Sequence, residues 1–252
     1  MEFDSYFFLA GLAALLVGLS KGGLSSMGML AVPLLSLVMS PVKAAVLLLP
    51  IFVASDMVGI WLYRHSFDAQ NLKILIPAGL VGIFIGWLTA SVVSDTAVQL
   101  LIGLIGVSFC LNMWLRKTER VDQQGPHWVK GSFWGALSGF TSFISHSGAP
   151  PYQVYMLPQK LPKIAFAGTT TLFFAVINAT KIIPYQNLRP YTHEDMLSAA
   201  ALIPFALVGT FLGAYLTKRI ADRWFFILIQ VGLFGLSIHL VADAVRALCW
   251  HC

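Results

Sequence analysis

Ser20-Lys21-Gly22-Gly23-Leu24-Ser25-Ser26-Met27 cuts an apolar stretch in two. The runs on either side, 5–19 and 28–40, are each shorter than the roughly 20 apolar residues a helix needs to cross a bilayer. The same device recurs later in the chain. Thr141-Ser142-Phe143-Ile144-Ser145-His146-Ser147-Gly148, followed by Ala149-Pro150-Pro151, separates the short runs 132–144 and 148–158. Six further runs, 43–63, 72–93, 97–115, 163–183, 196–217 and 223–246, are long enough to span.

Composition fixes the solvent. Of 252 residues, 58% are hydrophobic and 11% charged, and mean hydropathy is +0.79. A soluble domain carries about 25% charged residues. This surface is built for lipid, which excludes a soluble enzyme, a disordered chain and a nucleic-acid-binding domain. The net charge of +5 comes from short loops between apolar runs, as in multi-pass membrane proteins. Cys110 lies inside an apolar run and reads as a small buried hydrophobe, and the C-terminal Cys249-x-x-Cys252 has no matching pair elsewhere. Met1-Glu2-Phe3-Asp4 lacks the basic start of a cleavable signal peptide.

The two breaks occupy corresponding places in an internal repeat. Pro77, Gly82, Gly86 and Asp95 recur as Pro204, Gly209, Gly213 and Asp222 at an offset of 127. The fold expected is therefore all-α: one transmembrane domain over 1–252, with repeat 1 at about 5–115, a polar cytoplasmic linker at 116–131 and repeat 2 at about 132–246. Each repeat reads as a broken helix pair followed by three transmembrane helices. A pair that returns or crosses twice adds an even number of crossings, so three further spans make the total odd. The second repeat is then inserted upside down relative to the first. Loops 64–73, 116–130, 160–163 and 218–223 hold eleven basic residues, against four (Lys43, Lys181, Arg189 and Arg246) on the other side. That bias puts the eleven in the cytoplasm and both termini in the periplasm. Trp61, Trp114, Trp128 and Trp224 fall near the cytoplasmic boundary, as an interfacial belt does.

Irregular backbone at membrane depth persists only where protein buries it or it lines a polar cavity. Two such breaks in an inverted repeat point to a secondary transporter with its site near the midplane, between the broken helices. Half-helix N-termini carry partial positive charge and favour anions. Gly22, Gly23, Ser25, Ser26, Ser142 and Ser145 offer further donors, and Lys21 adds a full charge. Should the first pair cross twice, 20–27 is an ordinary loop and Lys21 its basic residue. Asp56, the one acid well inside a span, must pair, protonate or face water, because a bare carboxylate at the bilayer centre costs roughly 3 kcal/mol or more. Lys21 is its candidate partner, in a structural ion pair or a proton-coupling role. A shift of 122 takes Asp56 onto Asn178. Thr169 and Thr170 either contact the solute or bond back to their own helix. His146 either donates to an anion or carries a proton, or else is a structural histidine. No metal-ligand spacing is present, and no cofactor is implied. The partners expected are a small anion and the lipid bilayer, with no nucleic acid; a homo-oligomer is compatible with this reading.

Gly18-Leu19-Ser20-Lys21-Gly22-Gly23 before Pro33, Gly135-x3-Gly139 with Ser145-His146-Ser147-Gly148-Ala149-Pro150, and Leu161-Pro162-Lys163 leading to Ala167-Gly168-Thr169-Thr170 together resemble the TauE/SafE sulfite exporter family over nearly the whole chain. The resemblance implies export of sulfite, sulfoacetate or a related sulfur anion across a bacterial inner membrane. Composition and spacing by themselves give only an anion site in an inverted-repeat carrier. A membrane-embedded enzyme or a non-transporting assembly factor handling a sulfur compound is the alternative. An enzyme of that kind needs a nucleophile–base pair at depth, and the sequence offers none.

Overall fold

The computed structural model describes residues 2–35, 37–39, 41–90, 94–115, 125–188 and 190–249. Most of the linker, Arg189 and Cys252 lie outside these residues, as do the side chains of Ser145 and Cys249. The elements are α1 (Glu2–Lys21), a 3-10 turn (Ser25–Leu30), α2 (Ala31–Leu35), α3 (Pro41–Tyr63), α4 (Ala69–Thr89), α5 (Asp95–Leu115), α6 (Trp128–Ser145), α7 (Ala149–Met156), a second 3-10 turn (Leu157–Gln159), α8 (Lys163–Leu188), α9 (His193–Arg219) and α10 (Asp222–Cys249). Among the described residues there is no strand, and five helices are long and apolar enough to cross a membrane. This is an all-α polytopic membrane protein. Large apolar side chains on α4 (Val81, Phe84, Leu88) and α9 (Val208, Phe211) stand exposed, a surface that suits lipid and would aggregate in water.

The breaks are narrower than their composition predicts. Helix α1 runs on through Ser20 and Lys21, and α6 through Ser142 and Ser145, so only Gly22–Leu24 and His146–Gly148 are non-helical. At 1.5 Å per residue, the 20 residues of α1 reach about 30 Å although its apolar run is shorter. Polar residues did not end these helices because their backbone groups stay paired in the helix, and the side chains of Ser20, Lys21 and Ser142 are buried in protein. The second member of the second pair covers 149–159 as α7 and a 3-10 turn, close to the expected run 148–158. That of the first pair holds only the 3-10 turn and five-residue α2, too little to supply a helix N-terminus of consequence.

The chain forms two compact units: 1–68 with 163–225, and 69–162 with 226–252. In the first unit, α1 lies on α9. Ala10, Ala13, Ala14 and Val17, at i, i+3, i+4 and i+7, present one fully buried face. Gly18 sits where an added Cβ would come 1.9 Å from the Ala206 carbonyl oxygen, and Gly209 where one would come 2.4 Å from that of Leu15. Only residues without a side chain allow that approach. Helix α3 packs on α8 and α9. A capping box on α9, Thr192 with Asp195, fixes where that helix starts.

The second unit repeats the scheme internally. Helix α4 lies on α6, with Gly82 facing the Ala136 carbonyl (1.9 Å to an added Cβ) and Gly139 facing that of Gly79 (2.0 Å). Gly82 and Gly209, which correspond in the sequence repeat, thus both allow a close helix contact. Helix α5 rests on α10: Trp114 Nε1 donates to Gln230 Oε1 at 3.1 Å, and buried Cys110 lies near the Gln230 carbonyl. Asn71 and Gln159 exchange amide hydrogen bonds of 2.8 and 3.2 Å, tying the start of α4 to the turn after α7.

Candidate functional site

The first break is inside the protein. Ser20, Lys21, Gly22, Gly23, Leu24, Ser25 and Ser26 are all buried, and Lys21 is only 4% exposed. A water-exposed loop is therefore the wrong reading of 20–27. A buried helix end must find partners for its last carbonyls, and hydroxyls from other helices supply them. Thr171 Oγ1 donates to the Lys21 carbonyl at 3.1 Å; Tyr63 OH and Thr217 Oγ1 both donate to that of Gly22, at 2.5 and 3.0 Å. Gly23 then turns the chain at φ +119°, a conformation natural only to glycine. At the second break, within its own unit, hydroxyls of α6 itself bond the carbonyls of the break. Ser138 Oγ donates to the Gly148 carbonyl at 2.7 Å and Thr141 Oγ1 to that of Ser147 at 3.2 Å.

This stitching predicts a non-additive pair of variants. Tyr63→Phe or Thr217→Val alone leaves the Gly22 carbonyl one donor, and each is expected to cost about 0.5–1.5 kcal/mol. The double variant orphans that buried oxygen and is expected to cost more than the sum, read as the thermal midpoint in detergent or nanodiscs.

Lys21 ends α1, where the helix dipole favours a cation. Its Nζ lies 2.8 Å from Asp56 Oδ1 on α3, a close ion pair whose angles fall outside those of an aligned hydrogen bond. Asn178 Nδ2 on α8 donates to Asp56 Oδ2 at 2.8 Å. Aromatic rings complete the enclosure, with Lys21 Nζ 5.1 Å from the Phe52 ring centre and 5.8 Å from that of Phe174. Residues 52, 56 and 59 are one turn apart on α3, so Phe52, Asp56 and Gly59 share a face. An added Cβ at Gly59 would come 2.6 Å from Thr171 Cγ2, which sets how closely α3 and α8 approach.

Two members of this site were not singled out from the sequence. Lys181, assigned above to an outer loop, is fully buried in α8. It lies one turn beyond Asn178 and within the fields of Lys21 and Asp56. The basic tally of the outer side falls from four to three, and Lys21 is not the sole buried cation. The signal available was the Asn178-x-x-Lys181 spacing. Ser55, beside Asp56, is also fully buried, and its Oγ has no hydrogen-bond partner among the described residues.

The other predicted residues are placed as follows. Ser25 and Ser26 open the 3-10 turn and are buried. The Thr169 hydroxyl donates to the Ala165 carbonyl at 2.7 Å and accepts the Asp68 amide at 2.8 Å, while that of Thr170 donates to the Phe166 carbonyl at 2.7 Å. Both protons are thus committed to their own helix, the alternative weighed for this threonine run. Ser142 and His146 belong to the second unit. His146 closes α6 in the left-handed region (φ 54°), 8% exposed, its amide donating to the Ser142 carbonyl at 3.2 Å. The structure brings Lys21, Gly22, Asp56 and Asn178 together in the first unit.

The Lys21–Asp56 pair and Lys181 are thus charge buried in an all-helical membrane protein, and the family match carries the point further. The family model described as Sulfite exporter TauE/SafE matches residues 10–240. The chain belongs to the TauE/SafE sulfite exporter family. No curated protein and no solved structure matches it. As a TauE/SafE protein it is a multi-pass membrane protein from a family of exporters of sulfite and related sulfur anions, and the Lys21–Asp56 pair is buried charge inside such a transporter.

Proposed function

We propose that the protein exports a small sulfur anion, sulfite or a two-carbon sulfonate such as sulfoacetate, across the bacterial inner membrane. We place its seat at the charged cluster beside the first break. The observation that carries this reading is the buried trio Lys21, Asp56 and Lys181, whose formal charges sum to +1. Buried charge is costly in a bilayer protein and marks a solute or ion path by default, and an anion complements that sum. Gly22, Gly23, Ser25, Ser26, Asn178, Thr169 and Thr170 surround or support the seat. Ser142, Ser145 and His146 are proposed to serve the transport path from the second break.

The proposed topology has two repeats inserted in opposite orientations, with the eleven-cation side cytoplasmic and both termini periplasmic. Its support is the internal packing of each unit. Helix α9 of repeat 2 lies on α1 of repeat 1 through glycine–carbonyl contacts, and α4 of repeat 1 lies on α6 of repeat 2 through the same contacts.

Moving one charge through 100 mV is worth about 2.3 kcal/mol. A divalent anion leaving a cell at roughly −150 mV therefore gains about 7 kcal/mol, a gradient near 10⁵. Export needs no coupled ion. In proteoliposomes, saturable efflux of radiolabelled sulfite or sulfoacetate is expected, accelerated by an inside-negative potassium–valinomycin potential, with chloride a poor competitor. Absence of saturable flux of any sulfur anion would sink the proposal.

A further inference from the structure

Two adjoining spaces in the second unit have a chemistry the transport reading does not use. The first is a cavity of about 200 Å³ between the start of α6 and the end of α7, lined by His127, Lys130, Trp134 and Tyr155 among others, with no carboxylate in its wall. The second is an open groove of about 400 Å³ faced by Leu104, Ile105, Ser108 and Phe109 of α5. Trp134 and Val154 line both, so one space leads into the other. The cavity is polar and basic, and Ser108 is the one polar side chain of the groove.

The cavity selects an anion. His127 Nδ1 accepts the Lys130 amide at 3.3 Å, so the neutral ring carries its proton on Nε2, as a donor. The His127 amide donates to Tyr155 OH at 3.1 Å, which holds α7 against the start of α6. Gln159 is held by Asn71 and forms a wall. An ammonium has three protons and can hold an oxyanion beside another partner, so Lys130 supplies the charge. The groove selects a hydrocarbon chain. Trp128, Val129 and Phe133 stand exposed on α6, apolar surface that suits lipid at this level. Basic pockets between transmembrane helices take anionic headgroups. A soluble anion has no use for the groove, and a neutral lipid none for the lysine.

We propose that the cavity and the groove together bind one anionic phospholipid, its phosphodiester against Lys130 and His127 and an acyl chain along α5 past Trp134. The site shares no residue with the Lys21–Asp56 cluster and does not rest on the export reading.

The test is lipid binding to the full chain in detergent, read by native mass spectrometry. The probes are palmitoyl-oleoyl phosphatidylglycerol, the matching phosphatidylcholine and inorganic phosphate. Wild type is expected to bind phosphatidylglycerol about tenfold more tightly than phosphatidylcholine, the effect of one charge-assisted contact, and inorganic phosphate far more weakly than either. Lys130→Gln is expected to abolish the preference, and Lys130→Arg to keep it. Ser108→Trp, at an exposed groove position, fills the groove and is expected to weaken phosphatidylglycerol severalfold. Arg246→Gln, an exposed cation of α10, is expected to bind as wild type. The proposal is overturned if wild type binds the two lipids equally, if Lys130→Gln keeps the wild-type preference, if Arg246→Gln loses it as fully, or if Ser108→Trp keeps the wild-type affinity. Inorganic phosphate binding as tightly as phosphatidylglycerol overturns it too, since the groove would then contribute nothing. Should Lys130→Gln fail to fold, the wild-type comparison of lipids and Ser108→Trp decide by the same criteria.

Discussion

Replacing Asp56 by alanine is expected to cost about 3–5 kcal/mol of stability, because it leaves Lys21 as a buried cation facing nothing of opposite sign. Asn178 also loses its acceptor. The variant should therefore show a markedly lower thermal midpoint and reduced yield in the membrane fraction. Two companion measurements separate the causes. Sulfite at saturating concentration should restore part of the midpoint, because an anion bound to the folded state supplies the missing charge and stabilises by mass action. The apolar pair Lys21→Met/Asp56→Leu should recover most of the stability, since a buried ion pair is a weak stabiliser whose desolvation cost offsets its attraction. That double variant should still transport poorly. A fully stable Asp56→Ala protein would show that the carboxylate is neutral in the folded state and that the pair is not an ion pair at all.

The second large effect lies in the helix contacts. Gly18→Val and Gly82→Val are expected to abolish folded protein. At each position even the first carbon of a side chain would meet a backbone carbonyl oxygen at 1.9 Å, that of Ala206 or of Ala136. A backbone cannot yield as a flexible side chain can, so the helices must separate. Overpacking of this kind typically costs about 1–3 kcal/mol, and more where the obstacle is rigid. Gly18→Ala and Gly82→Ala should fall in that range or above, measured as loss of monodisperse protein on size-exclusion chromatography. Gly235→Ala is the control: nothing lies within 4 Å of its added carbon, and the change should be tolerated. Equal loss in all three would mean that glycine content, not close approach, is what the helices require.

Much of the site was legible before any fold was known. Lys21 stood out because a lysine between Ser20 and Gly22 in an apolar stretch is anomalous, and Asp56 because an acid inside a long span is. Their pairing was read from charge alone. The offset of 122 from Asp56 to Asn178 turned out to connect two residues that bond one another. Lys181 was missed because it stands near the end of its apolar run with Arg189 soon after, the pattern of an interfacial flank. The threonine run was ambiguous because a hydroxyl on a helix has its own carbonyl four residues back always within reach; Thr171, rather than Thr169 or Thr170, is the one that reaches the break.

Hydropathy, glycine and proline are local properties, so the amino-acid sequence by itself determined the lipid solvent, the all-helical class and the approximate sites where the helices break. Which charges are buried together is not local. Helix α1 meets α3, α8 and α9 only after the chain has folded, and that meeting decides that Lys21 is capped by Thr171 and neutralised by Asp56, and that Lys181 is core rather than surface. A charge's cost depends on what surrounds it, and its surroundings here come from distant parts of the chain.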